Sequence, residues 1–195
     1  IDCYEHIIKI GPNSVYYLDA QLAAITVKKD LLENSVAVTQ EAWLDLEKNY
    51  VELLNEIGKT SQTLLLIRDL AEIQAFRLHN IEQASNTIED IQTISAARAE
   101  DLAECKLLQA DIQLLKNEIW EAILSYSQVV KAYKNDVLGH EAKYRRAKIS
   151  YFQGDFDWAQ AQLDVLKKST AKLIANNAME LSLLIQDNLN LDTTT

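Results

Sequence analysis

Glycine and proline are the scarcest punctuation in this chain: four glycines and one proline in 195 residues. There is also almost no β-branched alternation at period 2, so an all-β architecture is not expected. Cysteine is nearly absent. Cys3 and Cys105 are too far apart in sequence to make a disulfide framework or a metal spacing, and Cys105 reads as a small apolar filler. That usage fits a reducing compartment and a bacterial periplasm equally. No apolar run approaches the ~18 residues that would cross a membrane. No signal peptide is recognisable, although the chain reads as starting inside a repeat, as an excised piece of a longer protein. Basic residues are outnumbered, 19 against 29 acidic, for a formal charge of −10. A phosphate-backbone surface needs the opposite sign, so nucleic acid is not expected as a partner. The acidic balance serves solubility.

Chemistry is also missing. His6, His79 and His140 stand alone near helix ends, where an imidazolium favours the dipole. No His pair has metal-binding helical spacing, and there is no Gly-rich phosphate loop or nucleophile elbow. Asp155-Phe156-Asp157 reads as a helix start rather than a calcium loop. The chain is therefore expected to be no enzyme and to hold no cofactor or metal.

What is present is helix. The segments between the few breakers are long and rich in Leu, Ala, Glu, Lys and Gln. The fold class is all-α. Between Glu104 and Lys168 one pattern occurs twice, 37 residues apart. Glu104, Lys106, Ala110, Ile112, Glu118, Ile119, Ala122 and Lys131 are matched by Glu141, Lys143, Ala147, Ile149, Asp155, Phe156, Ala159 and Lys168. A fixed period of this size marks a stacked repeat array. Each copy carries two alanines 12 apart, Ala110 with Ala122 and Ala147 with Ala159, where two helices must approach closely. Each pair straddles a break, at Asn117 and at Gly154, the residue types that end a helix in the left-handed region. Second helices carry apolar residues at offsets 0, 3, 7 and 10: Ile119, Ala122, Tyr126, Val129, then Phe156, Ala159, Leu163, Leu166.

These residues resemble the tetratricopeptide repeat family. The likeness rests on Tyr144-Arg145-Arg146-Ala147, Tyr151-Phe152-Gln153-Gly154-Asp155-Phe156 and Ala159. The family period is about 34; the extra residues here fall in the Tyr133–Gly139 connection. Stretches such as Trp120-Glu121-Ala122-Ile123-Leu124 are similar to long tetratricopeptide proteins of Bacteroidetes-type bacteria. The resemblance implies a right-handed α-solenoid of stacked antiparallel hairpins, with first helices lining a concave side.

On that reading residues 1–13 are the second half of a truncated repeat, with Tyr4 and Ile7 inward and Pro12 closing it. Residues 14–58 form a divergent hairpin. Its first helix runs to about Lys29 with Leu18, Leu22 and Ile25 on one face, residues 30–38 are helix or long turn, and Thr39 caps the second. A repeat follows over 59–97, with a helix from Thr60 and a capping box at Asn80 and Gln83. Two more span 98–139 and 140–169. A capping or next-repeat helix over 170–188 and a polar, frayed tail over 189–195 complete the chain.

The resemblance further implies that a protein or peptide partner, of unknown identity, lies in the groove against inward residues of the first helices. These are Leu107, Asp111, Leu114 and Leu115 in one hairpin and Glu141, Tyr144, Arg145, Lys148, Tyr151 and Phe152 in the next. Members that clamp a chaperone's C-terminal carboxylate use an Asn where Asp111 stands, so that ligand is not expected. Trp43, Trp120 and Trp158, near the starts of second helices, read as fillers of the joints between repeats. The alternative function is a structural array, homodimeric through its terminal hairpins, with no dedicated groove.

Overall fold

The structure, a computed structural model, describes residues 2–94 and 97–192. Ten α-helices and one short 3-10 turn account for it, with no strand among the described residues. The chain divides into two compact units, Ile1–Asp101 and Leu102–Thr195.

In the first unit, α1 (Asp2–Ile10) packs on α2 (Tyr17–Glu33), α2 on α3 (Gln40–Ile57), α3 on α4 (Leu64–Phe76) and α4 on α5 (Ile81–Glu89). Residues 30–38, open in the sequence reading, are helical through Glu33 and then turn. α2 buries Ala20, Ala24 and Ile25, while the expected Leu18 and Leu22 are only half-buried. Small side chains set this contact. Thr39 caps α3 as expected, its hydroxyl accepting from the Ala42 amide at 3.3 Å. α3 buries Trp43, Leu46, Tyr50 and Leu53, its offset pattern. α4 starts at Leu64 rather than Thr60. Fully buried Thr63 holds the intervening turn, donating to the Gly58 carbonyl and accepting from the Thr60 amide, both at 2.8 Å. α5 ends at Glu89, and a 3-10 turn (Asp90–Thr93) carries Ile91.

Lys29 is a buried cation that the sequence reading missed. Its ammonium lies 2.7 Å from Glu72 and 3.2 Å from Asp69, on α4. Burial pulls its pKa down, but the two carboxylates outweigh this and hold it above the ordinary lysine value.

In the second unit, the bulk of α6 (Ala99–Leu115) is followed by α7 (Ile119–Ala132), α8 (Val137–Phe152), α9 (Phe156–Leu166) and α10 (Lys172–Asp192). The four alanines of the repeat, Ala110, Ala122, Ala147 and Ala159, have no exposed surface. They form two clusters. One joins Ala103, Leu107 and Ala110 to Tyr126, Val129, Ala142 and Ile149. The other joins Ala147 and Ala159 to Leu163, Leu166, Ile174, Ala178 and Ile185. Asn117, at φ 63°, and Gly154, at φ 80°, end the first helices in the left-handed region. The amide after each reaches back to close the turn, Glu118 to the Gln113 carbonyl and Asp155 to the Ser150 carbonyl, 2.8 and 2.9 Å.

Two boundaries here differ from expectation. α8 begins at Val137, capped by Asp136 accepting from the Leu138 amide at 3.0 Å, so the last three residues of the expected connection are helical. Gly139 lies in its first turn, where a β-carbon would stand 1.8 Å from the Tyr133 carbonyl oxygen. Only glycine lets the chain leaving α7 press so closely on α8. α10 runs to Asp192, past residue 188. Of the expected polar tail, residues 193–195 lie outside the described residues, as do 95 and 96 of the 59–97 repeat.

Candidate functional site

The residues expected to line a groove all lie in the second unit, and the structure divides them. Leu107 is 5% exposed and belongs to the core, and Leu114 packs against the same cluster. Leu107, expected in the groove, instead belongs to the cluster with Ala110 and Tyr126 because its helical position turns it inward. Leu115, next to Leu114, is exposed.

Asp111, Arg145 and Glu141 form a network. Asp111 accepts from the buried Tyr126 hydroxyl and from the Arg145 guanidinium, which crosses from α8. Arg145 also donates to Glu141 one turn back, at 2.8 Å. Burial pushes the Asp111 carboxyl above the usual carboxylate range, against the pull of Arg145 and Tyr126. For Arg145 burial acts downward, and Asp111 and Glu141 outweigh it to raise the guanidinium. Tyr126 is raised too, by burial and then by Asp111. These groups are engaged with each other and act as a brace between α6 and α8.

The accessible members are Tyr144, Lys148 and Phe152, on one face of α8 by their spacing. The Lys148 ammonium lies 6.0 Å from the Tyr144 ring centroid, at the limit of a cation–π contact. Phe152 is 77% exposed and meets Tyr151 edge-on at 5.3 Å. Tyr144 and Tyr151 are partly buried against the α9–α10 cluster. The arrangement offers a flat aromatic and one exposed cation beside an ionic network. It offers no nucleophile–base pair. No group of three or more His, Cys, Asp or Glu among the described residues could hold a metal ion. No helix among them is long and apolar enough to cross a membrane.

Other sequence readings are revised. Trp43 is a joint filler, buried, with the Arg77 guanidinium 5.0 Å over its ring. Trp120 and Trp158 are not: they are 78% and 52% exposed, one position from the buried offsets of their helices. Of the histidines, His79 is the left-handed residue that ends α4, and His140, early in α8, meets the Ser169 hydroxyl at 2.8 Å. At Asn80 half of the capping box is present. Its side chain accepts from the Gln83 amide, but Gln83 meets the Asn80 side chain instead of its amide, which bonds the Gln74 carbonyl.

A polar lock across each hairpin went unread. Gln113 accepts from Ser125 at 3.0 Å; in the next copy Gln162 donates to Ser150 at 3.2 Å. The partners trade places. In the first unit Gln74 accepts from Thr87 in the same way, at 2.7 Å. Only alignment of the copies at period 37 exposes the exchange.

No protein-family model matches the chain, and no curated protein matches it in sequence. Among solved structures, a crystal structure of a tetratricopeptide repeat protein from Parabacteroides merdae is similar, with a TM-score of 0.67 at 10% identity. The match covers 97% of this chain and 67% of that one. That protein comes from the Bacteroidetes, the group whose long repeat proteins the sequence resembles. The chain has the fold of a tetratricopeptide repeat protein, an α-solenoid of antiparallel hairpins.

Proposed function

We propose that the chain is a protein-interaction scaffold and that the Tyr144–Lys148–Phe152 face of α8 takes an extended segment or a helix of a protein partner. The observation that carries this reading is Phe152, a large aromatic left 77% exposed beside the Lys148–Tyr144 pair. Exposed aromatics with a cation alongside are what binding hot spots are made of. The Asp111–Arg145–Glu141 network supports the face by fixing α8 against α6. The test is affinity capture with the wild type and with Lys148→Ala/Phe152→Ala, helicity being checked by circular dichroism. Proteins held by the wild type and lost from the equally helical variant are expected. Identical capture by both baits would remove the assignment.

A second reading is self-association through a terminal helix, favoured by α10. Leu173, Met179 and Leu183 are exposed on it, whereas Leu181 packs into the core. A mass that rises with concentration and is abolished by Leu183→Glu would support this reading over the first.

A further inference from the structure

Lys143 and Arg146 lie on the stripe of α8 that is otherwise its buried side. Lys143 has Gly139 one turn before it and Ala147 one turn after; Arg146 has Ala142 and Ser150 in the same relation. Both side chains are only partly exposed. The Lys134 backbone nitrogen comes within 3.4 Å of where a Gly139 β-carbon would be, and its side chain is exposed. The missing side chain of Gly139 thus brings the 133–134 backbone onto the stripe one turn ahead of Lys143. Lys143 is pulled below the ordinary lysine value by burial first and then by Arg146 and Lys134, and Arg146 is lowered by burial. Among the described residues, no carboxylate forms an ion pair with any of the three.

Alignment of the two copies shows that this is particular to the second. Thirty-seven residues earlier, the counterpart of Lys143 is Lys106, whose ammonium meets the side-chain oxygen of Gln128. The counterpart of Gln128 is Val165, which accepts nothing. The counterpart of Arg146 is Gln109, which carries no charge. In a chain of net charge −10, the second copy has thus added a cation and removed an acceptor at one spot. Half-buried cations without a counter-ion are costly unless an anion arrives from outside.

We propose that Lys134, Lys143 and Arg146 form a binding site for a phosphate-type dianion. Lys143 and Arg146 lie three residues apart on one face of α8, with Lys134 near enough to act on Lys143, and together they match a group carrying about two negative charges at neutral pH. The Arg146 guanidinium supplies the planar fork that pairs with two phosphate oxygens. Such a group could be free phosphate or a phosphorylated side chain, and the chemistry of the site is the same for both. The site lies away from the Tyr144–Lys148–Phe152 face and does not depend on it.

The experiment is thermal unfolding of the full chain at constant ionic strength, with inorganic phosphate substituted for chloride. The melting temperature is expected to rise by about 3–5 °C when phosphate reaches ten times its dissociation constant. Lys143→Met keeps the side-chain stem and removes the charge. It should abolish most of the rise, as should Arg146→Met, while Lys148→Met on the other face should keep it. If Arg146→Met does not fold, Lys143→Met alone decides. A rise that survives in the variants, or no rise in the wild type, overturns the site. A peptide bearing phosphoserine, compared with the same peptide bearing glutamate, separates the sources. A larger effect from phosphoserine than from phosphate assigns a phosphorylated segment, and equal effects assign the free anion. Glutamate matching phosphoserine overturns the phosphate class.

Discussion

Gly139 shows how much one missing side chain decides. Its α-carbon faces the Tyr133 carbonyl so closely that an added methyl would overlap backbone, which has no rotamer to escape into. Gly139→Ala should therefore cost about 3 kcal/mol or more, well above an ordinary surface change, read as a shift in the urea midpoint. Asp111 makes a subtler prediction. Burial dominates and raises its carboxyl in the folded chain. The folded protein then holds that proton at pH values where the unfolded chain has lost it. Stability from this group is present on the acid side and falls as pH rises from the ordinary carboxylate value through the raised folded one. Asp111→Asn has no such slope, so the variant should gain on the wild type as pH rises across that window. Denaturant titrations at several pH values would show it, and parallel curves would refute it. At this scale the sequence was only partly readable. Asp111, Arg145 and Glu141 were placed on the right helices. The pairing of Arg145 with Asp111 does not show in the sequence because it joins side chains 34 residues apart, whereas Glu141 lies at ordinary i,i+4 spacing from Arg145.

Helix ends follow local rules, and those rules were legible wherever a polar side chain could act on its own turn. Thr39 and Asp155 cap as their chemistry dictates. Asn117 and Gly154 end their helices in the left-handed region that their residue types favour. Asp136 is obscured as a cap because Gly139, three residues on, reads as part of the connection and sets the expected helix start after it. His79 takes the left-handed conformation, where histidine is enriched among non-glycine residues, although its place near a helix end suggests only a surface charge. Asn117 still carries a side-chain penalty there, which the copy with Gly154 avoids. A left-handed L-residue costs roughly 1–2 kcal/mol, and glycine's extra freedom in the unfolded chain takes back about 0.5–1. Asn117→Gly should accordingly stabilise the protein by about 0.5–1 kcal/mol, measurable as a raised melting temperature; destabilisation would mean that the Asn side chain bonds something essential.

Across the molecule, the 37-residue period carried the reading of the fold. It fixed the buried alanines, the turns and the second-helix faces, all of which depend on backbone geometry and packing. It could not separate Leu107, which faces the core, from Phe152, which faces water, because both are apolar residues of a first helix. Nor did it show Trp120 and Trp158 outside, since a one-position offset reverses a helical face. The polar locks give a test of the repeat itself. Gln113→Ser alone should lose about 1 kcal/mol, and adding Ser125→Gln should recover most of it, because that order of partners already exists in Ser150 and Gln162. A double-mutant cycle with no coupling would show that the contact contributes nothing.

The exchange of partners between copies limits how such a chain can be shuffled. A single helix moved from one copy to the other would set glutamine against glutamine or serine against serine. The first pair overfills the joint and the second leaves a gap. Whole hairpins carry both partners together and can be duplicated, deleted or transplanted without that conflict. The unit that recombination can trade in this lineage is the helical pair, and a library built by exchanging hairpins at Asp136 or Ser169 should yield folded chains where one built by exchanging lone helices does not.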